Sequence, residues 1–157
     1  MGKREKIAIA FLQGFIILVS IAALVFLLWE PQIEGRNVNA SLYDIYFKDF
    51  FLACVYVASI AFFTALWKAS KLLSNIREGK TFTQDSVKAF RIIRYCASIL
   101  AIFVFSGLMT LFIARPGDDI AGGVAMGLVV MVVSILVAVS SYVFERLVKN
   151  GIKSGNF

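Results

Sequence analysis

The chain has 157 residues, 60% of them hydrophobic and 17% charged, with fifteen Phe, 16 Lys plus Arg against 10 Asp plus Glu, and no histidine. A soluble domain carries fewer apolar and more charged side chains. Here the charges gather in short blocks between four apolar runs of membrane-spanning length, which excludes a soluble globular reading. Without histidine, the commonest metal ligand and the commonest neutral-pH base are both missing.

Met1 to Lys6 is a short basic tail. The first apolar run predicts a span over about 7–29. It is longer than a signal-peptide core and has no small-residue cleavage site after it, so it is expected to stay as a first helix. Gly2 lacks the following Ser or Thr that myristoylation needs. Trp29 suits an interface, and Pro31 is expected to stop the helix just beyond it.

Glu30 to Asp49 is an acidic loop with Glu30, Glu34, Asp44 and Asp49 against Arg36 and Lys48. Asn39-Ala40-Ser41 fits the glycosylation pattern formally, and Tyr43, Tyr46 and Phe47 suit interfacial anchoring. The second span is expected over about 50–67, with its helix continuing to about 76. Cys54, Ala58, Ala61, Ala65 and Ala69 form a stripe of small residues along one face. Such stripes let helix backbones approach closely in lipid. Phe51, Val55, Phe62 and Leu66 suit lipid or the looser side of the bundle.

The connection from Lys68 to Arg94 carries seven basic residues, Lys68, Lys71, Arg77, Lys80, Lys88, Arg91 and Arg94, against Glu78 and Asp85. Leu72, Leu73 and Ile76 make its first part amphipathic, and Gly79 is a helix stop. Thr83 is a good N-cap with Asp85 in the first turn, Thr81 with Gln84 is an alternative capping box, and Phe82 and Val87 stand in the positions of a hydrophobic staple. The third helix should therefore start near Gln84, with its span over about 92–114. Phe90, Ile93 and Ala97 make the apolar face of its first turns, and Lys88, Arg91 and Arg94 make a basic stripe.

Arg115 to Asp119 is a tight acidic loop in which Asp118 or Asp119 can cap the fourth helix, expected over about 120–144. Gly123, Gly127, Ser134, Ala138 and Ser141 leave much of one face smooth. Packing of these stripes within the chain or across a homodimer seam stays open at this point. Glu145, Arg146 and Lys149 open a tail that looks disordered from Gly151 to Phe157.

The two tails and the Lys68–Arg94 connection are net basic, and the other two connections are net acidic. By the positive-inside rule both termini and the basic connection lie in the cytoplasm. The expected fold is all-α: a single polytopic domain, a four-helix antiparallel bundle in the plasma (inner) membrane with both termini inside.

Cys54 and Cys96 should sit at depths on the order of 15–20 Å apart, which leaves two free, buried thiols. No charged residue falls in the expected hydrocarbon core, and Lys68, Arg94 and Glu145 can snorkel from its edges. Serines without a histidine offer no nucleophilic catalysis, so no enzyme, metal or cofactor is expected. The basic connection suits anionic lipid headgroups and a docked cytoplasmic regulatory protein. It contains no module that reads nucleic acid.

Leu72-Leu73, then Gly79-Lys80-Thr81-Phe82-Thr83, then Ser86-Val87-Lys88-Ala89-Phe90-Arg91-Ile92-Ile93, together with Val143-Phe144-Glu145-Arg146, resemble a family of small bacterial membrane proteins called domain of unknown function 2975. Ser86 stands where that family more often has Asn, and Phe90 where it more often has Leu. The resemblance implies four helices and no established activity. Genes of the family that sit beside a small helix-turn-helix regulator imply a sensing or regulator-tethering role. The competing expectation is a small transporter, or an immunity protein against a membrane-active peptide, with a cavity lined by Ser98, Ser106, Thr110 and Ser134.

Overall fold

The structure is a computed structural model that describes residues 3–33, 50–114 and 121–155, with the side chains of 3, 30–33, 50–54, 111 and 114 left out. It is all-α. Helix α1 spans Lys3–Ile33, α2 Phe50–Arg77, α3 Gln84–Ala114 and α4 Ala121–Ser154. The acidic loop residues Glu34, Asp44, Asp49, Tyr43, Tyr46 and Phe47, the Asn39–Ser41 pattern, and Arg115, Asp118 and Asp119 lie outside the described residues, as does the side chain of Cys54.

Among the described residues three segments are long and apolar enough to cross a membrane, Arg4–Trp29, Gln84–Thr110 and Ala121–Ser154. Along them, most large apolar side chains face outward: Phe11, Leu18, Phe26, Ile102, Phe105, Leu136 and Val139 are each more than half exposed. An apolar surface of that extent suits lipid and would be a large liability in water. The fourth expected span, over 50–67, is helical throughout.

Each helix packs on its neighbour in the chain: α1 on α2, α2 on α3, and α3 most extensively on α4. Among the described residues no extended contact joins α1 to α4, so the expected antiparallel helices pack in a row, each on the next in the chain. In lipid there is no hydrophobic penalty for leaving outer faces uncovered, so closure is not required.

Two hydrogen bonds hold α1 antiparallel to α2. Gln13 Nε2 donates to the Ser70 carbonyl at 3.5 Å, and the Tyr56 hydroxyl donates to the Leu27 carbonyl at 3.1 Å. The second bond accounts for an expectation that the structure overturns. Helix α1 does not stop before Pro31 but continues to Ile33. Proline has no N–H to give to the carbonyl four residues earlier, which is that of Leu27. Tyr56 supplies the missing donor, so the helix passes the proline without orphaning a polar group in an apolar setting.

The carboxy-terminal tail is a second correction. Helix α4 runs without a break through Glu145 and Gly151 to Ser154, where Gly155 with φ 62° stops it. The segment is amphipathic: Ser141, Glu145 and Val148 are buried at spacings of four and three, and this face continues the stripe that packs on α3. On α2, the outward side chains are Val57, Ile60 and Trp67, whereas Val55, Phe62 and Leu66 are half-buried. Half-burial places these three on the looser side of the packed helices and not in open lipid, because α1 and α3 both pack against α2.

Candidate functional site

The connection between α2 and α3 is a tightly specified turn. Gly79 adopts φ 77°, a left-handed conformation that favours glycine. The Lys80 N–H reaches the Asn75 carbonyl at 2.8 Å and the Gly79 N–H the Ile76 carbonyl at 3.0 Å, the paired bonds of a Schellman ending. Thr83 then caps α3, its Oγ1 accepting the Ser86 N–H at 3.3 Å. Ser86 is fully buried, and its hydroxyl lies 3.3 Å from the Lys80 carbonyl and 3.2 Å from Thr83 Oγ1. A serine therefore ties the two helix ends together. Val87 is buried behind it, while Phe82 remains largely exposed.

Above this turn the two helices share a small core of Leu72, Ala89 and Ile93, with Ala69, Ile76 and Phe90 packed around it. The expected apolar face of Phe90, Ile93 and Ala97 is the one that faces inward, and Phe90 also stacks on Phe144 of α4 at 5.6 Å. Three helix ends thus form one packed body beyond the apolar segments.

The seven basic residues expected on this hairpin have different fates. Lys71, Arg77 and Lys88 are exposed. The Lys68 and Lys71 ammonium groups lie 4.5 and 6.0 Å from the centre of the Trp67 ring, a cation–π arrangement at the expected membrane edge. Lys80 pairs with Glu78 at 2.8 Å on the open surface. That hydrogen bond and the attraction of the opposite charge raise the Lys80 pKa and lower that of Glu78.

Arg91 and Arg94 turn to α4. Arg91 Nε donates to Glu145 Oε1 at 2.9 Å, and Arg94 Nη1 lies 3.0 Å from Oε2. The first is an aligned hydrogen bond. The second is a charge contact only, since Oε2 has no aligned donor. The Glu145 side chain is only 9% exposed. It is therefore not a snorkelling edge residue as expected, but a buried anion clamped between two arginines. Arg94 also meets aromatic rings, lying 5.0 Å from the Tyr95 ring centre and 5.4 Å from that of Tyr142, and Arg146 approaches Tyr142 from α4 at 5.1 Å.

The expected packing residues divide in the same way. Ala58 is buried, and Ala61 and Ala65 are half-buried on α2. On α4, Ser134 is buried and Ala138 half-buried. A Cβ placed on Gly127 would lie 2.7 Å from Leu108 Cδ2 of α3, so this glycine serves a contact inside the chain. Gly123 is exposed. Cys96 is a free, half-buried thiol. Ser106 and Thr110 are exposed and donate to carbonyls of their own helix, whereas Ser134 is buried and bonds to Val130.

Sequence reasoning missed the role of Glu145. The available signal was the arrangement of Ser141, Glu145 and Val148 on the same face as Ser134 and Ala138, which marks Glu145 as inward-facing if the helix continues.

The family model described as "Protein of unknown function (DUF2975)" matches residues 34–154. An uncharacterized membrane protein of Bacillus subtilis (strain 168), YoaS, is 32% identical over 151 residues, covering 94% of this chain and 93% of the relative. No solved structure matches the chain.

Proposed function

We propose that this chain, which belongs to the family described as protein of unknown function (DUF2975), is a multi-pass interaction or sensory module of the cytoplasmic membrane. Both termini and the α2–α3 hairpin face the cytoplasm, where the basic residues concentrate. The hairpin docks an acidic surface of a cytoplasmic partner, a transcription regulator being the kind that the family resemblance suggests.

The observation that supports this reading is the rigid tip. A Schellman ending, a threonine cap and a buried serine hold the turn, and a small apolar core holds the two helices behind it. Lys71, Arg77 and Lys88 are presented from that frame. A connection that only set topology would need the charges but not the frame. The helices run without interruption from the apolar segments into the hairpin, so a shift in the membrane is carried to the docking face.

The test is crosslinking capture from native membranes, comparing wild type with Lys71, Arg77 and Lys88 all changed to Gln. Arg91 and Arg94 are left intact because they hold Glu145. Protease protection of a carboxy-terminal tag checks that orientation is retained. An acidic cytoplasmic protein captured by wild type and lost from the variant supports docking. Identical captures from two correctly oriented proteins refute it.

A further inference from the structure

Where the last turns of α4 face the first turns of α3 there is a cavity of about 350 Å³. It is lined by Arg94 from α3 and by Tyr142, Arg146, Lys149 and Lys153 from α4, with Glu145 in its wall. The α4 residues recur at spacings of four, three and four, so one helix face carries all of them. The volume falls in the range of small-ligand pockets.

The electrostatics of this cavity are lopsided. Four cations line it against one carboxylate, and that carboxylate is already taken by Arg91 and Arg94. Among the described residues, Arg146, Lys149 and Lys153 have no carboxylate partner. Arg94 and Arg146 both approach the Tyr142 ring, which gathers two guanidinium groups on one side of the cavity, near the lysines. Like charges held at one concave surface repel, and a bound anion removes that cost. Guanidinium forks beside flexible ammonium groups match the oxygens of a phosphate.

We infer that this cavity is a phosphate-binding site. Its ligand is a phosphate group, carried either by the headgroup of an anionic lipid or by a free phosphate anion. The placement suits a headgroup: Tyr142 closes the apolar run of α4, and the cations follow within three turns of it. The site is separate from the exposed lysines of the hairpin and does not depend on a docked partner. It rests on the proposed orientation only for the leaflet it would face.

The test uses the full chain purified in a neutral detergent. Native mass spectrometry and thermal stability are read with added phosphatidylglycerol, with phosphatidylcholine, and with inorganic phosphate alone. Wild type is compared with Lys149→Gln/Lys153→Gln and with Lys71→Gln/Lys88→Gln, which loses the same charge elsewhere. Arg146→Gln serves as a second cavity variant. Selective retention of phosphatidylglycerol, weakened roughly tenfold or more in both cavity variants and unchanged in the hairpin variant, supports a headgroup site. Equal protection by inorganic phosphate, lost in the same variants, supports the site with free phosphate as its source. Equal loss in cavity and hairpin variants reduces the effect to diffuse charge and overturns the inference, as does the absence of any phosphate-dependent binding.

Discussion

Replacing Glu145 with Gln removes the charge at the α3–α4 junction while keeping the size of the side chain. In the wild-type chain Oε1 accepts a 2.9 Å hydrogen bond from Arg91 and Oε2 lies 3.0 Å from Arg94. Hydrogen bonds to charged groups contribute about 1.5–3 kcal/mol, and breaking a fully buried ion pair costs about 3–5 kcal/mol. This pair is only half of that kind. Glu145 is 9% exposed, but Arg91 is 47% and Arg94 23% exposed, so water or headgroups can take over part of the arginine charge. The expected loss is therefore about 2 kcal/mol, roughly thirtyfold in the unfolding equilibrium. Equilibrium unfolding by SDS in mixed micelles, followed by circular dichroism, reads it. A double-mutant cycle with Arg91→Gln should show a coupling of about 1 kcal/mol. A Glu145→Gln protein as stable as wild type, with no coupling to either arginine, would refute the view that this carboxylate holds the helix ends together.

Three further outcomes follow from the geometry. Tyr56→Phe should cost about 1 kcal/mol by stranding the Leu27 carbonyl; in a Pro31→Ala background the restored backbone N–H should make it almost silent, and the same unfolding assay compares the four proteins. Gly79→Ala should destabilise the hairpin by about 1 kcal/mol; a Cβ there meets nothing within 4 Å, so the cost is purely that of the left-handed backbone, and Gly79→Asn should be milder, as amide exchange of the turn would show. Gly127→Leu should disrupt α3–α4 packing, because even a Cβ there would lie 2.7 Å from Leu108 Cδ2; intramolecular crosslinking between engineered cysteines on α3 and α4 reads the loss.

Much of the local architecture can be read from the residues because its causes are local. Gly79, Thr83 and Asp85 mark the hairpin ends through backbone conformations and caps that span only a few positions, and the helices end at Arg77 and begin at Gln84 accordingly. The inward turn of Phe90, Ile93 and Ala97 follows from their spacing alone. Pro31 misled for the opposite reason. Its local effect is to break a helix, and the donor that compensates for it comes from Tyr56 on the next helix. Glu145 misled likewise, since a charge after an apolar run suggests a tail until its partners, 54 residues away at Arg91, are in view.

The sequence by itself determined that this is a helical protein for an apolar medium. Long apolar runs leave a helix as the way to satisfy every backbone group, and the charges fall in blocks between those runs. The tertiary structure alone decided which of the arginines bind Glu145, that Gly127 admits Leu108 of the neighbouring helix, and that among the described residues each helix packs chiefly on the next. Those outcomes depend on the rotation of each helix about its axis and on its contact with the next. In lipid that rotation is chosen by close packing and a few polar bonds, and neither leaves a periodic mark in the chain.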